Sequence, residues 1–324
     1  MNINNIFNSF DSKKVLIIGD AMIDAYMWGD IERFSPEAPV PIVKINKHEN
    51  RLGGAANVAL NIKALGGIPV LCSVIGNKND ATIFKNLMNE AGLSQEGILI
   101  EEDRITTKKT RVIAKNKHQV RIDEEDTHPI KTENKLIELI YSLIENINVI
   151  ILQDYNKGVL TENIIQKTIK IANKKNIPTI VDPKKQNFNT YKNCSIFKPN
   201  LTEIQEGMNI SINADNTEEL KKATSQLRES LNTNAILLTL SEKGICVHSK
   251  HNFQYTPNFK RNIVDVSGAG DTVISIAALC LANKIKYRDL SVLCTLAGGL
   301  VCEEVGVVPI NKAKLILEAK KSLT

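Results

Sequence analysis

An α/β fold built on a mostly parallel sheet is what this chain of 324 residues predicts. Two features carry that expectation. Short apolar, β-rich runs alternate with stretches of helical periodicity, and polar turn residues follow most of those runs at once. A sheet covered by helices on both faces produces this rhythm.

Taken in order, Val15 to Ile18 reads as a buried parallel strand ending at Gly19-Asp20. Ala55 to Leu65 reads as a helix, with Val58, Ile62 and Leu65 at helical spacing and Gly66-Gly67 as its stop. Pro69 to Ile75 follows as a strand, and Ala81 to Ala91 as a helix stopped by Gly92. Further along come a strand over Val149 to Leu152, a helix over Glu162 to Lys174 and a strand over Thr179 to Val181. Another strand is expected over Ser195 to Lys198, a helix over Glu218 to Ser230 and a strand over Ala235 to Thr239.

Two stretches depart from that pattern. Val40 to Asn46 alternates apolar and polar residues after a proline-rich loop, Ser35 to Pro41. Thr106 to Asp123 reads as a hairpin with Lys115-Asn116-Lys117 at its turn. Both are partly polar on two sides, which suits a small β lid, about residues 25–48 and 98–123, beside the main body. The whole of 1–324 reads as one domain, without internal repeats, coiled coil or low-complexity tail.

Composition narrows the function classes. A hydrophobic content of 43% and a charged content of 24% are ordinary for a globular protein. The net charge of +5 is scattered in short runs such as Lys108-Lys109 and Lys174-Lys175, and aromatics are few. Nucleic-acid binding would call for a clustered basic stripe, so none is expected. Six cysteines show no C-x-x-C spacing and read as buried free thiols of a reducing compartment. Residues 1–14 lack the apolar core of a signal peptide, and no apolar run has the length of a membrane helix. A cytoplasmic protein without membrane contact is the expectation.

The segment Asp265-Val-Ser-Gly-Ala-Gly-Asp271-Thr272 carries the most chemistry. Gly268 and Gly270 precede an acid and then the apolar run Val273 to Leu281, the order of a tight turn entering a buried helix. The first N–H groups of a helix lack intrahelical partners and form an anion site. A carboxylate beside such a site suits a base that deprotonates a hydroxyl attacking phosphorus. Alone, the segment reads first as an ordinary Gly-rich turn capped by Asp. The other strand ends tip the balance, because ligands bind beyond the carboxyl ends of parallel strands. Gly19-Asp20-Ala-Met-Ile-Asp24, Gln153-Asp154-Tyr-Asn-Lys157, Asp182-Pro-Lys184, Pro199-Asn200-Leu201-Thr202-Glu203 and Ser241-Glu-Lys-Gly244 are polar in succession. Gly53-Gly54-Ala-Ala-Asn57 repeats the pattern of glycines before a helix, and the Asn57 amide either reaches a sugar hydroxyl or is a polar residue of the first turn. Neither a G-x-G-x-x-G after the first strand nor a Walker A sequence is present.

These segments resemble the ribokinase/PfkB family of carbohydrate kinases. Gly53 to Ala59, then Gly66 and Gly76, match one family signature, and Asp265 to Asp271 match the other. Asn200-x-x-Glu203 is similar to the family's N-x-x-E element. Ile276 departs from the pattern, which prefers a small residue there, and that bears on helix packing. A narrower resemblance, to heptose 7-phosphate kinases, lies in Arg33 to Pro41, Gly19 to Asp24, Asp154 to Gly158 and Asp182-Pro183-Lys184.

The resemblance implies a ribokinase-like three-layer sandwich with a small β-sheet lid. It implies ATP-dependent phosphorylation of the anomeric hydroxyl of D-glycero-β-D-manno-heptose 7-phosphate, a step of ADP-heptose formation for lipopolysaccharide core. Asp271 would be the base, with the N–H groups of Gly268, Ala269 and Gly270 as the anion hole. Asp20, Asp24, Gly53, Gly54, Asn57 and Asp154 would contact the sugar, and Lys109, Arg111 and Lys157 its phosphate, although an Arg on a lid strand equally suits a solvated charge. Lys184, Asn200, Leu201, Thr202, Glu203, Thr239 and Gly244 would line the nucleotide side, with Asn200 and Glu203 acting on Mg2+ through water. The apolar stretch around Leu293 to Leu300 would wall an adenine pocket or be plain core. Whether K+ is required stays open. Dimerisation through the lid is expected, as is a separate adenylyltransferase, so that the chain reads as a stand-alone kinase or a kinase half. Another sugar kinase, or a silent binding module, are the competing readings.

Overall fold

The computed structural model describes residues 3–115 and 117–323. Asn116, expected at a hairpin turn, lies outside the described residues. Parallel strands β1 (Lys14–Gly19), β4 (Ile68–Ile75), β5 (Ile98–Ile100), β8 (Val149–Gln153), β9 (Thr179–Asp182), β10 (Ile196–Phe197) and β11 (Ala235–Thr239) form most of a nine-stranded sheet. Its order is β13-β12-β11-β10-β9-β8-β1-β4-β5, with β12 (Ile245–Ser249) and β13 (Phe253–Thr256) joined antiparallel at one edge.

Alternation along β1 shows why the sheet is covered on both faces. Val15 and Ile17 point into one apolar cluster, and Leu16 and Ile18 into the other. The first cluster is closed by α1 (Ile3–Phe10), α2 (Ala55–Ala64), α3 (Asn79–Glu90), α8 (Ala269–Ala282), α9 (Tyr287–Val301) and α10 (Lys312–Ser322). The second is closed by α4 (Glu133–Leu143), α5 (Glu162–Lys174), α6 (Leu201–Met208) and α7 (Thr217–Leu231). The result is the expected three-layer, ribokinase-like sandwich. Each fully buried Leu, Ile or Phe contributes about 1.5–3 kcal/mol. Helix α8 is apolar on nearly every side and runs through the core, as such a helix must. Ile276 is fully buried there, so its departure from the family pattern is absorbed by packing.

A separate four-stranded sheet, in the order β3-β2-β6-β7, stands beside this body. It comprises β2 (Ala21–Phe34), β3 (Pro41–Gly54), β6 (Lys108–Ala114) and β7 (Lys117–Glu124). The expected span 98–123 divides between the two sheets, since β5 pairs with β4 and only β6 and β7 join the small one. The long strand β2 was not expected. It begins directly after Asp20 and carries Asp24 opposite Arg51 of β3 and Lys109 of β6. Helix α1 was also unexpected; it buries Ile3, Ile6, Phe7 and Phe10.

The six cysteines are buried and free, and burial pushes Cys72, Cys194 and Cys246 up to about 12. Among the described residues no helix is long and apolar enough to cross a membrane.

Candidate active site

The carboxyl ends of β8, β9 and β10 converge on the N-terminus of α8, and that of β1 lies beside β8. Close approach of β1 to β8 requires Gly19, where a Cβ would lie 2.0 Å from the Gln153 carbonyl oxygen. Gly268 caps α8 with φ of 79°, a left-handed conformation that glycine adopts without strain. The turn before it is braced by Asp265, which accepts the Ser267 N–H at 3.0 Å and the Gly306 N–H at 2.9 Å.

Asp271 sits in the first turn of α8, nearly inaccessible, and is held from three directions. Asn57 donates to Oδ2 at 2.8 Å, Tyr155 donates to Oδ1 at 2.6 Å, and Gln153 donates to Oδ1 at 3.2 Å. A carboxylate has about four lone-pair sites, so one site, on Oδ2, is left for a further donor. Burial pushes Asp271 up to about 7; the carboxylates of Asp182 and Asp24 add to that, and the bonds from Asn57 and Tyr155 oppose it. A group poised there exchanges protons near neutrality.

On the other side of Gln153, its amide also donates to Asp182 at 3.2 Å, and Asp182 pairs with buried Lys198 at 2.9 Å. Lys184 pairs with Glu203 and lies 5.9 Å from the Tyr155 ring centroid. Burial works against the Lys184 charge, but Asp182 and Glu203 outweigh it and hold the ammonium above its ordinary value. At the open turn a Gly270 Cβ would have only Asp182 Oδ2 at 3.8 Å and Lys198 Nζ at 3.9 Å near it, a cation and a hard oxygen donor that suit a phosphate group with Mg2+. Among the described residues no three His, Cys, Asp or Glu side chains converge as direct metal ligands. A Mg2+ ion would fit as a largely hydrated one, held by Asp182, Glu203 and Asn200 through water and phosphate oxygens.

Residues 12–313 match the model of the pfkB family of carbohydrate kinases. The chain belongs to that family. It is 35% identical over 318 residues to the bifunctional protein HldE of Geobacter sulfurreducens, covering 97% of this chain and 64% of that protein. It is 40% identical over 299 residues to HldE of Aliarcobacter butzleri, covering 91% and 62%. The chain therefore spans somewhat under two thirds of the length of these relatives. Escherichia coli phosphofructokinase-2 in complex with potassium has the same fold, with a TM-score of 0.79 at 16% identity over 95% of this chain and 99% of that one.

The pfkB fold gathers most of the residues singled out in the sequence, and several of them already hold partners within the protein. Asn57 is fully buried and its amide donates one hydrogen bond to Asp271. Asp20 accepts the N–H groups of Tyr155, Lys157 and Val159, and Asp154 accepts from Asn156, Asn187 and Tyr191. Asp20 thus holds the 155–159 loop, and Asp154 ties its start to Asn187 and Tyr191. Burial, reinforced by Asp154, pushes Asp20 up to about 6. Asp24 pairs with Arg111, and Gly53 is required beside it, since a Cβ there would meet Asp24 Oδ2 at 2.1 Å. Gly54 begins α2 at φ of 57°. Lys109 and Lys157 converge on one carboxylate, Glu125.

Among the anion-turn groups, Ala269 N–H donates to the Val266 carbonyl at 3.3 Å. That bond engages an N–H expected in the anion hole, while Gly268 and Gly270 flank it in the same turn. Asn200 and Glu203 form a reciprocal capping box on α6, with Leu201 and Thr202 as the next residues, and Asn200 bridges to Thr239. Gly244 serves a backbone turn at φ of 105°. Leu293 and Leu296 are core residues, not a pocket wall. Gln153, Tyr155, Asp182, Lys198 and Glu125 were given no role in the sequence. The first four lie at or just past strand ends, the one signal that marked them.

Proposed function

We propose that this chain transfers the γ-phosphoryl group of ATP to the anomeric hydroxyl of D-glycero-β-D-manno-heptose 7-phosphate, giving the 1,7-bisphosphate used to make ADP-heptose. The observation that carries the reaction type is Asp271, a buried acid with one open acceptor site beside a Gly-rich helix N-terminus. The substrate reading draws on the similarity to HldE, on the proline-rich loop of residues 35–41 and on the lysines of β6 and the 155–159 loop.

In this reading the hydroxyl donates to Oδ2 of Asp271, which takes its proton as the oxygen attacks phosphorus. Gln153, Tyr155 and Asn57 keep the carboxylate aimed. The N–H groups of Gly268 and Gly270 receive the charge developing on the transferred group. Lys184 and Lys198 neutralise the remaining phosphates, and Mg2+, when bound, shields charge on their oxygens. Asp24, paired with Arg111, contacts sugar hydroxyls. The small sheet acts as a lid that excludes water from the reaction, and its exposed Val120 and Ile122 suit pairing with a second copy. Adenylylation is left to another protein or module.

An ADP-release assay over sugars with and without a terminal phosphate tests this. Turnover of the heptose 7-phosphate well above hexoses is expected. Preference for a hexose phosphate would move the substrate, and no turnover on any sugar would remove the kinase reading.

A further inference from the structure

Glu125 lies one residue beyond β7 and receives two ammonium groups, Lys157 on Oε1 at 2.7 Å and Lys109 on Oε2 at 3.4 Å. Lys109 also reaches Asp123 at 3.1 Å, whose other oxygen is held by Arg121 at 2.9 Å. Three cations and two carboxylates therefore alternate at the rim of the small sheet. Both lysine side chains are only 14% exposed, so little water competes for them.

The backbone of Lys157 is fixed more tightly than a solvated lysine requires. Its N–H is held by Asp20 at 3.1 Å and its carbonyl by Arg104, two side chains that are themselves almost fully buried. Two residues earlier on the same loop, Tyr155 touches Asp271. Lys109 faces Asp24 across the β2/β6 register. Two residues of chain span at most about 7 Å, so one rigid loop carries both the tyrosine that touches the proposed base and the lysine paired with Glu125.

We propose that Glu125 stands in for the terminal phosphate of the substrate: it keeps Lys109 and Lys157 together, and a phosphorylated sugar binds by replacing it. The proposal rests on the sugar-kinase reading and deepens it. A dianionic phosphate brings more charge and more acceptor oxygens than one carboxylate, whereas a neutral sugar hydroxyl cannot compete with a carboxylate for two cations. Displacement is feasible because Glu125 is 23% exposed and sits past the end of its strand, while the lysines are anchored. Burial works against the Glu125 charge, yet Lys157 and Lys109 hold its carboxyl below the ordinary range, so it is ionised when the pocket is empty. Selection for phosphorylated sugars then comes from this exchange.

The test compares the wild type with Glu125→Gln and Lys157→Met. Calorimetric Kd and steady-state KM are measured for heptose 7-phosphate and fructose 6-phosphate, with fructose as the unphosphorylated control and inorganic phosphate as a competitor. Glu125→Gln removes the competing charge, so both sugar phosphates and inorganic phosphate should bind several-fold more tightly while fructose shifts less than twofold. Lys157→Met should weaken both sugar phosphates about 10- to 100-fold, the equivalent of one charge-assisted hydrogen bond. Weaker binding of sugar phosphates by Glu125→Gln, or equal shifts for fructose, would overturn the proposal. If the wild type prefers fructose 6-phosphate to the heptose, the substrate reading fails while the same comparison still decides the role of Glu125.

Discussion

Tyr155 donates its phenolic hydrogen to Oδ1 of Asp271 at 2.6 Å, joining the loop after β8 to the first turn of α8 across 116 residues of sequence. The bond stabilises the ionised acid inside a site whose burial favours the neutral one. Position and protonation of the proposed base are thereby set by a loop that Asp20 and Arg104 hold in place.

A pH dependence follows from this bond. A base must be deprotonated to act, and Asp271 is raised to about 7, so kcat should fall as pH drops through about 7. Tyr155→Phe removes a bond that favours the charged form. Such bonds contribute about 1.5–3 kcal/mol, which moves the acidic limb upward by about one to two pH units. A kcat–pH profile of the variant checks this, and an unmoved limb would separate Tyr155 from the base.

Gly53 has no room for a methyl group, because a Cβ would sit 2.1 Å from Asp24 Oδ2 and 3.0 Å from Met22. Gly53→Ala should displace Asp24 from Arg111, raise the sugar KM and lower stability by about 1–3 kcal/mol. Thermal denaturation with sugar kinetics reads both effects.

The anion turn is also braced from the small sheet. The Tyr26 hydroxyl accepts the Val307 N–H at 2.9 Å, and Arg51, stacked 4.7 Å above the Tyr26 ring, donates to the carbonyls of Val305 and Val307. Gly306 between them binds Asp265, which holds the turn leading to Gly268. Tyr26→Phe leaves the Val307 N–H unpaired, at about 1–3 kcal/mol. The variant should melt earlier and lose kcat several-fold, with a smaller change in sugar KM. Loss of stability with full kcat would show that the loop does not position the turn.

Strands β1, β4, β8, β9, β10 and β11 and helices α2, α3, α5 and α7 were legible because short apolar runs alternate with helically spaced ones. By contrast, β5, β12, β13, α4, α6 and α10 carried no expectation of their own. Strand β2 was not legible, since Asp20 and Asp24 look like turn acids in the sequence. Helix α1 hid its four apolar residues among asparagines in a short segment. In the site, Asp271 and its glycines announced themselves through local order. The partners did not, because Asn57 lies 214 residues away and the Lys157–Glu125 pair joins two loops. Asp20 and Asp154 had the right residue type at the right strand ends, yet the 155–159 loop fills the oxygens of Asp20, and Asn156, Asn187 and Tyr191 fill those of Asp154.

The central claim is that Asp271 removes the proton from the attacking sugar hydroxyl. The most direct measurement is kcat of Asp271→Asn at pH 8, with ATP and sugar-phosphate Kd determined on the same preparation. The account predicts kcat lower by at least the ~10²–10⁴-fold typical of a lost general base, with both ligands still bound. Turnover near the wild-type value in a folded, ligand-binding variant would contradict it.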